Sequence, residues 1–468
     1  MNASPKPALR RALQALGAAA LLAVYCAGHA ESLAAQGCPM YHCTPQATGI
    51  MTQAVIPTVL TSNSNGSLGS QVGQGCSGNG TRLACLYLRD TAPANRKGTL
   101  KMLNATTLKT SWGSASAPDS YDLDAATAAY GQVPVLFADG SLAAGDGFFY
   151  VRYDSSGAMT GQLPVAGSGK DYGLTPIGPT YGVVSQGDGV LTLVDLATWQ
   201  SAGSLTLTDP ATGAPVILIV PSAGSTGAVY AVGYDSVNGN GFLYSVVLNA
   251  RTHQLSVRSV FTFTGKSGAS PVVVTPQMSG LANNLLLLHV PGLIGDAQPL
   301  NRLLALADAP AGLVESWQIP LATAMTVSPT VDQASQSLFY QDGATPLLHQ
   351  SGLISGGALA TFDLQAIGGF PSSFILNGHV GASQAGGVLT LLLAGAYSEP
   401  PAGAQYIMAF QPIESPAAYL WTAQIGAAPA AYTAAWNLAP ATEAGAACPV
   451  AIAVAATNLS TLVRVCDH

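Results

Sequence analysis

Three carboxylates fall within six residues at Asp119, Asp122 and Asp124, beside Ser120. An oxygen-rich loop of this kind suits Ca2+, a hard cation that takes oxygen ligands. The spacing lacks the turn glycine and ligand register of an EF-hand, so it favours the competing reading, a solvated acidic loop. A second grouping gathers softer donors: Cys38, Met40, His42 and Cys43, a set that suits copper. Copper sites usually draw on further imidazoles, and His253, His289, His349, His379 and His468 are widely scattered. Cys38 and Cys43, five apart, read more simply as a disulfide. Gly265-Lys266-Ser267 has the ending of a phosphate loop, yet Val260 stands where its first glycine belongs and strand-forming residues surround it. Neither GxSxG nor HExxH occurs, so the commonest hydrolase signatures are absent.

The compartment decides how the cysteines are read. Lys6, Arg10 and Arg11 precede an uncharged run over residues 12–28, and Gly28-His29-Ala30 supplies a small-residue cleavage site. Residues 1–30 therefore read as a signal peptide removed after Ala30, which exports the protein to the periplasm or beyond. A retained anchor is the alternative; the modest hydrophobicity of an Ala/Gly-rich run and the immediate Glu31 oppose it. Export leaves Cys38, Cys43, Cys76, Cys85, Cys448 and Cys466. An even set in an oxidising compartment reads as disulfides, and local spacing favours Cys38–Cys43, Cys76–Cys85 and Cys448–Cys466.

Only 8% of residues are charged, against about 25% in an ordinary soluble domain. The net charge is −7, and no Lys/Arg cluster follows the signal, which argues against nucleic acid as a partner. No second apolar run is long enough to span a bilayer, so no transmembrane span is expected after signal removal. Leu285–Leu288 and Leu391–Leu393 are short leucine runs of a length that suits buried strands.

The elements that must position these residues recur. Apolar strands end at Asn104, Asp154, Asp195, Asn249, Asp308, Asp363 and Gln411, and successive separations are 50, 41, 54, 59, 55 and 48 residues. The acids and amides at these stations read as turn caps. Asp-Gly pairs such as Asp139-Gly140 and Asp188-Gly189 read as hairpin turns. Trp112, Trp317 and Trp421 follow eight to ten residues after a station, and Ser270-Pro271 and Ser328-Pro329 open new units. Thirty prolines and 52 glycines oppose long helices. A period near fifty built from strands and turns predicts an all-β chain: a single β-propeller of seven or eight four-stranded blades. The expected division is signal peptide 1–30, lead-in and ring-closing strand 31–60, and propeller 61–468. Within it, residues 53–60 are expected to pair with strands near the C-terminus, and residues 61–80, rich in Ser, Asn and Gly, to form a surface loop.

This grammar resembles the pyrroloquinoline-quinone-like, quinoprotein-type propeller repeat. The best match is Ala305-Leu306-Ala307-Asp308 followed by Gly312 and Trp317. The segment Cys38-Pro39-Met40-Tyr41-His42-Cys43-Thr44-Pro45-Gln46-Ala47-Thr48-Gly49 resembles the lead-in that precedes the first blade in many exported members. Here Cys38 stands for the usual Trp, Thr44 for an acid and Ala47 for a second His. The resemblance implies the fold across nearly the whole mature chain and leaves function open, because the superfamily holds both dehydrogenases and non-enzymatic assembly proteins. The dehydrogenases commonly carry an adjacent Cys-Cys pair, which this chain lacks. The expectation is a non-dehydrogenase member: a binding or scaffold module without cofactor, contacting a protein or envelope component through the loops of its ring faces. The alternative is a quinone (PQQ)-dependent oxidoreductase with Ca2+ in the central channel. Sequence leaves the enzyme question open and leans against catalysis.

Overall fold

The computed structural model describes residues 171–249 and 251–325 without interruption, residues 134–164 and 328–376 with short gaps, parts of residues 32–48, and mainly strands between 50 and 123 and between 380 and 466. Residues 1–31 lie outside the described residues, and with them the signal reading. Seven antiparallel sheets of at least four strands follow one another in chain order. We number them blades 1 to 7, spanning residues 71–123, 135–164, 171–206, 217–264, 272–320, 330–363 and 374–426. Strands run a to d in sequence; in blade 3 these are Asp171–Pro176, Tyr181–Gln186, Val190–Asp195 and Gln200–Thr206. First strands approach first strands of neighbouring blades, while fourth strands are largely exposed, so each sheet runs outward from a common axis. The architecture is the expected all-β propeller.

Side-chain alternation explains why sheets of this kind must stack. In the second strand of blade 5, Leu285 and Leu287 pack towards blade 6, with Leu338 and Tyr340. Leu286 and Leu288 pack the other way, towards blade 4, with Tyr230 and Phe263. Both faces of the sheet are thus interblade cores, which is why a strand of period two reads as an unbroken leucine run. Each fully buried leucine contributes about 1.5–3 kcal/mol, and no blade supplies that burial alone.

Hydroxyls lace the inner strands together. Thr175 Oγ1 donates to Pro221 O at 2.7 Å, Ser222 Oγ to Pro271 O at 2.6 Å, and Ser328 Oγ to Ser270 O at 2.7 Å. Ser77 Oγ donates to Pro134 O and Thr330 Oγ1 to Val380 O in the same manner. These carbonyls sit at the inner edge, where no ladder partner exists, and a buried carbonyl left unpaired would cost about 1–3 kcal/mol. The Ser-Pro pairs of the sequence are therefore interblade ties.

Thr61–Asn65 pairs antiparallel with Thr461–Cys466, which pairs with Ala451–Ala455. This three-stranded sheet lies between blade 7 and blade 1 and joins the two ends of the chain. The expected surface loop over residues 61–80 is corrected: it contains this closing strand and Gln71–Gly78, the first strand of blade 1. Backbone pairing, which small polar residues satisfy as well as apolar ones, overrides the loop-like composition. Residues 52–60 lie outside the described residues.

Candidate functional site

The axis is the first place to look for a ligand, and described residues of the chain's own lead-in bond to the inner strands around it. Ala34 N donates to Leu136 O and Ala138 N to Ser32 O, fixing residues 32–34 to blade 2. Cys38 exchanges two backbone bonds of 2.9 Å with Gly78 of blade 1. Met40 is buried among Phe137, Tyr150 and Leu174, where blades 2 and 3 meet. The segment then reaches the far side of the ring: Val273 N of blade 5 donates to Gln46 O, and Val331 N of blade 6 to Thr48 O. Ile50–Met51 finally adds a parallel strand to Ala382 and Ser383 of blade 7. Five of the seven inner edges are thus met by residues 32–51 of the same chain.

The soft-donor grouping takes the simpler of its two readings. Cys38 and Cys43 are joined as a disulfide, so neither offers a thiolate, and Met40 is packed in an apolar core. His42 lies outside the described residues. Cys85 is disulfide-bonded and stands in register with Cys76 across blade 1; Cys448 lies outside the described residues, and Cys466 ends the closing sheet. Asp122 lies on the fourth strand of blade 1, in register with Thr99, whereas Asp119 and Asp124 fall outside the described residues. Among the described residues, no three His, Cys, Asp or Glu side chains group to hold a metal ion.

A cavity of about 270 Å³ opens between blades 2 and 3, lined by Ser141, Arg152, Asp154, Thr160, Thr198 and Trp199 among others. Arg152 comes from the third strand of blade 2 and reaches across to blade 3, where Nη1 donates to Leu196 O at 2.9 Å. Its guanidinium lies 5.6 Å from the Phe137 ring and 5.8 Å from Trp199. Nη2 stands 3.3 Å from Ser141 Oγ and 3.5 Å from Asp139 Oδ2. Trp199 forms the opposite wall, held by its Nε1–H donating to Tyr150 O at 3.0 Å. Asp154 turns back on its own hairpin: Oδ1 accepts from Ser156 N at 2.8 Å, Ser156 Oγ at 2.6 Å and Ala158 N at 3.0 Å. The Ser156 hydroxyl foremost holds that carboxyl below the usual Asp range.

Asp195, Asn249 and Asp363 cap turns in the same way, as expected of the stations. Asp363 differs in place, since it ends the fourth strand of blade 6 rather than the third. Asp308 is not a turn cap. The third strand of blade 5 runs on to Ala309, which keeps Asp308 inside the ladder, opposite Leu313. Its buried carboxylate accepts from Tyr230 OH and Ser245 Oγ and pairs with Arg258, all from blade 4. Asn284 Nδ2 donates to Tyr230 OH at 2.8 Å, and its Oδ1 accepts from Ser225 Oγ at 3.0 Å. Burial raises the Tyr230 phenol above its ordinary value, which keeps it a donor.

The motifs singled out in the sequence did not include Arg152 or Trp199. A signal for each was present: Arg152 is a lone cation in an apolar strand two residues before a station, and Trp199 is one of only five tryptophans. Trp112 and Trp317 proved to be blade-to-blade docks, against Gly157 and Gly356 of the next blade.

No protein-family model matches the chain, and no curated protein matches it. Among solved structures the chain is similar to BamB from Moraxella catarrhalis, with 9% identity over 88% of this chain and 99% of that one, at a TM-score of 0.45. The propeller architecture rests on the strand pairing described above.

Proposed function

We propose that this chain is an exported, non-enzymatic β-propeller that serves as a binding or scaffold module in the cell envelope or outside the cell. Its partner is a protein or envelope component engaged through loops of the ring faces. The observation that supports this reading is the lead-in: its described residues between 32 and 51 bond to the inner edges of five blades, on both sides of the ring. A ring whose inner edges are engaged by its own backbone presents its two faces to partners. Export is supported by the basic and then uncharged start of the sequence and by the even cysteine set. Among the described residues, no helix is long and apolar enough to cross a membrane.

The test is to add pyrroloquinoline quinone and Ca2+ to residues 31–468 and follow cofactor absorbance and alcohol- or aldose-dependent dye reduction. Neither saturable cofactor binding nor turnover is expected. Dye reduction that depends on both additions would replace the scaffold reading with the oxidoreductase one.

A further inference from the structure

We propose that Asp209 and Asp235 form a Ca2+ site where the link between blades 3 and 4 meets the hairpin joining the second and third strands of blade 4. The inference goes beyond the binding-module reading and stands independently of it.

Both acids open turns of one pattern, Asp209-Pro210-Ala211-Thr212-Gly213 and Asp235-Ser236-Val237-Asn238-Gly239. Gly213 N donates to Asp209 O at 2.8 Å and Gly239 N to Asp235 O at 2.9 Å, and both glycines have positive φ. Capping explains part of what the carboxyls do. Asp209 Oδ1 accepts from Ala211 N at 2.8 Å, while Asp235 accepts from Val237 N at 2.8 Å and Asn238 Nδ2 at 2.6 Å. Capping explains neither their burial nor the second oxygen of Asp209. Both residues are 1% exposed, and Asp209 Oδ2 is buried without a donor. At Asp363 the capping carboxyl is exposed, so solvent serves its second oxygen. A buried carboxylate oxygen has no such recourse.

The group facing Asp209 is another acid: the two carboxyls lie within hydrogen-bonding reach of each other. Asn238 foremost holds the Asp235 carboxyl below the usual Asp range, so it is ionised at neutral pH. Tyr244 stands beside both, its phenol raised by burial and then by their charges, yet its hydroxyl donates to Thr208 O at 2.9 Å. Among the described residues, no Lys or Arg pairs with either acid. Two acceptors in contact need positive charge between them.

The acceptors at hand select the ion. They are all oxygens: two carboxylates, Thr208 O and the Tyr244 hydroxyl. Such a set suits Ca2+, which takes about six to eight oxygen ligands in adaptable geometry and completes its shell with water. Mg2+ demands a tighter octahedron, and softer metals want nitrogen or sulfur. A dication balances two carboxylates, and clamps the link to the blade. Pro210, Ala211, Val237 and Asn238 are exposed around the pair, which leaves an approach from solvent.

The experiment adds CaCl2 alone to the EDTA-stripped protein at neutral pH and follows the thermal unfolding midpoint and the heat of binding. A saturable rise in midpoint is expected, half-complete between about 0.1 and 1 mM Ca2+ and at least about tenfold weaker with Mg2+. Asp209→Asn keeps an acceptor for Ala211 N; it should abolish the Ca2+ response while leaving the metal-free midpoint at or above wild type, since a repulsion is removed. Asp235→Asn repeats the test from the other side. Asp122→Asn and Asp154→Asn, acids of blades 1 and 2, should keep the full response. No saturable effect on wild type, an unchanged response in Asp209→Asn, or an equal response to Mg2+ each overturns the proposal. So does a wild type that ignores Ca2+ and gains stability as pH falls from about 7 to 5, the mark of a proton shared by the two acids. The titration contains no quinone, so its failure leaves the scaffold reading standing, and quinone-dependent dye reduction would leave the titration unaffected.

Discussion

The junction between blades 2 and 3 and the junction between blades 4 and 5 are built on one plan. In each, an arginine from one blade meets a neighbouring sheet, with an acid and a hydroxyl close by. At the first, Arg152 is held by a carbonyl and two rings, its acid Asp139 is mostly in water, and a cavity remains. At the second, the acid is the buried member: Asp308 is 4% exposed and collects Tyr230, Ser245 and Arg258. A buried carboxylate demands a full set of donors, and Asp308 collects them from three strands of blade 4. The ring therefore holds one junction locked through a buried acid and one that keeps its acid in water.

The largest expected effect breaks the lock. Asp308→Ala strands the buried Tyr230 hydroxyl and removes the counter-charge of Arg258, and should lower unfolding free energy by about 2–4 kcal/mol, discounted because Arg258 can turn to solvent. Calorimetry or denaturant unfolding reads this directly. A loss no greater than that of Asp139→Ala, which should lie within about 0.5 kcal/mol of wild type, would erase the distinction between the two junctions.

A third kind of junction sharpens the comparison by using no charge. Gly356 has φ +68°, and a Cβ there would sit 2.7 Å from the Trp317 ring of the preceding blade. Gly356→Ala should cost about 1–3 kcal/mol, combining a left-handed backbone with a displaced indole. An effect below that of Arg152→Ala, expected near 1 kcal/mol for one hydrogen bond and the ring contacts, would show that charged junctions rather than aromatic ones dominate ring stability.

These contrasts mark how far the sequence could be read. The blade period was legible because every blade repeats the same strand and turn chemistry, and Asp154, Asp195 and Asn249 cap turns as their spacing implies. Asp308 misled because its strand runs one residue past the acid and carries it out of the turn and into the interface, which no spacing rule detects. The polar stretch at residues 61–65 misled because strand pairing at the ring's closure depends on a partner almost four hundred residues away. Arg152 and Trp199 belong to different blades, and their meeting follows from how one sheet is staggered on the next. The bonds of the lead-in to five blades were foreshadowed only as a motif.

The smallest effect is a matter of pH. His289 lies in blade 5, buried, with Nε2 facing Asn301 Oδ1 at 3.2 Å and Nδ1 without a partner. Burial lowers its pKa below the ordinary 6.5, and the Asn301 contact offsets that only in part. Because the folded value is the depressed one, its contribution is intact above about pH 6.5 and is lost as pH falls, since the unfolded chain takes up a proton that the folded chain resists. The slope cannot exceed about 1.4 kcal/mol per pH unit for one group. His289→Gln should flatten the acid limb of the stability curve between pH 6.5 and the folded value. A variant whose acid limb is unchanged would mean that protonation elsewhere governs the decline.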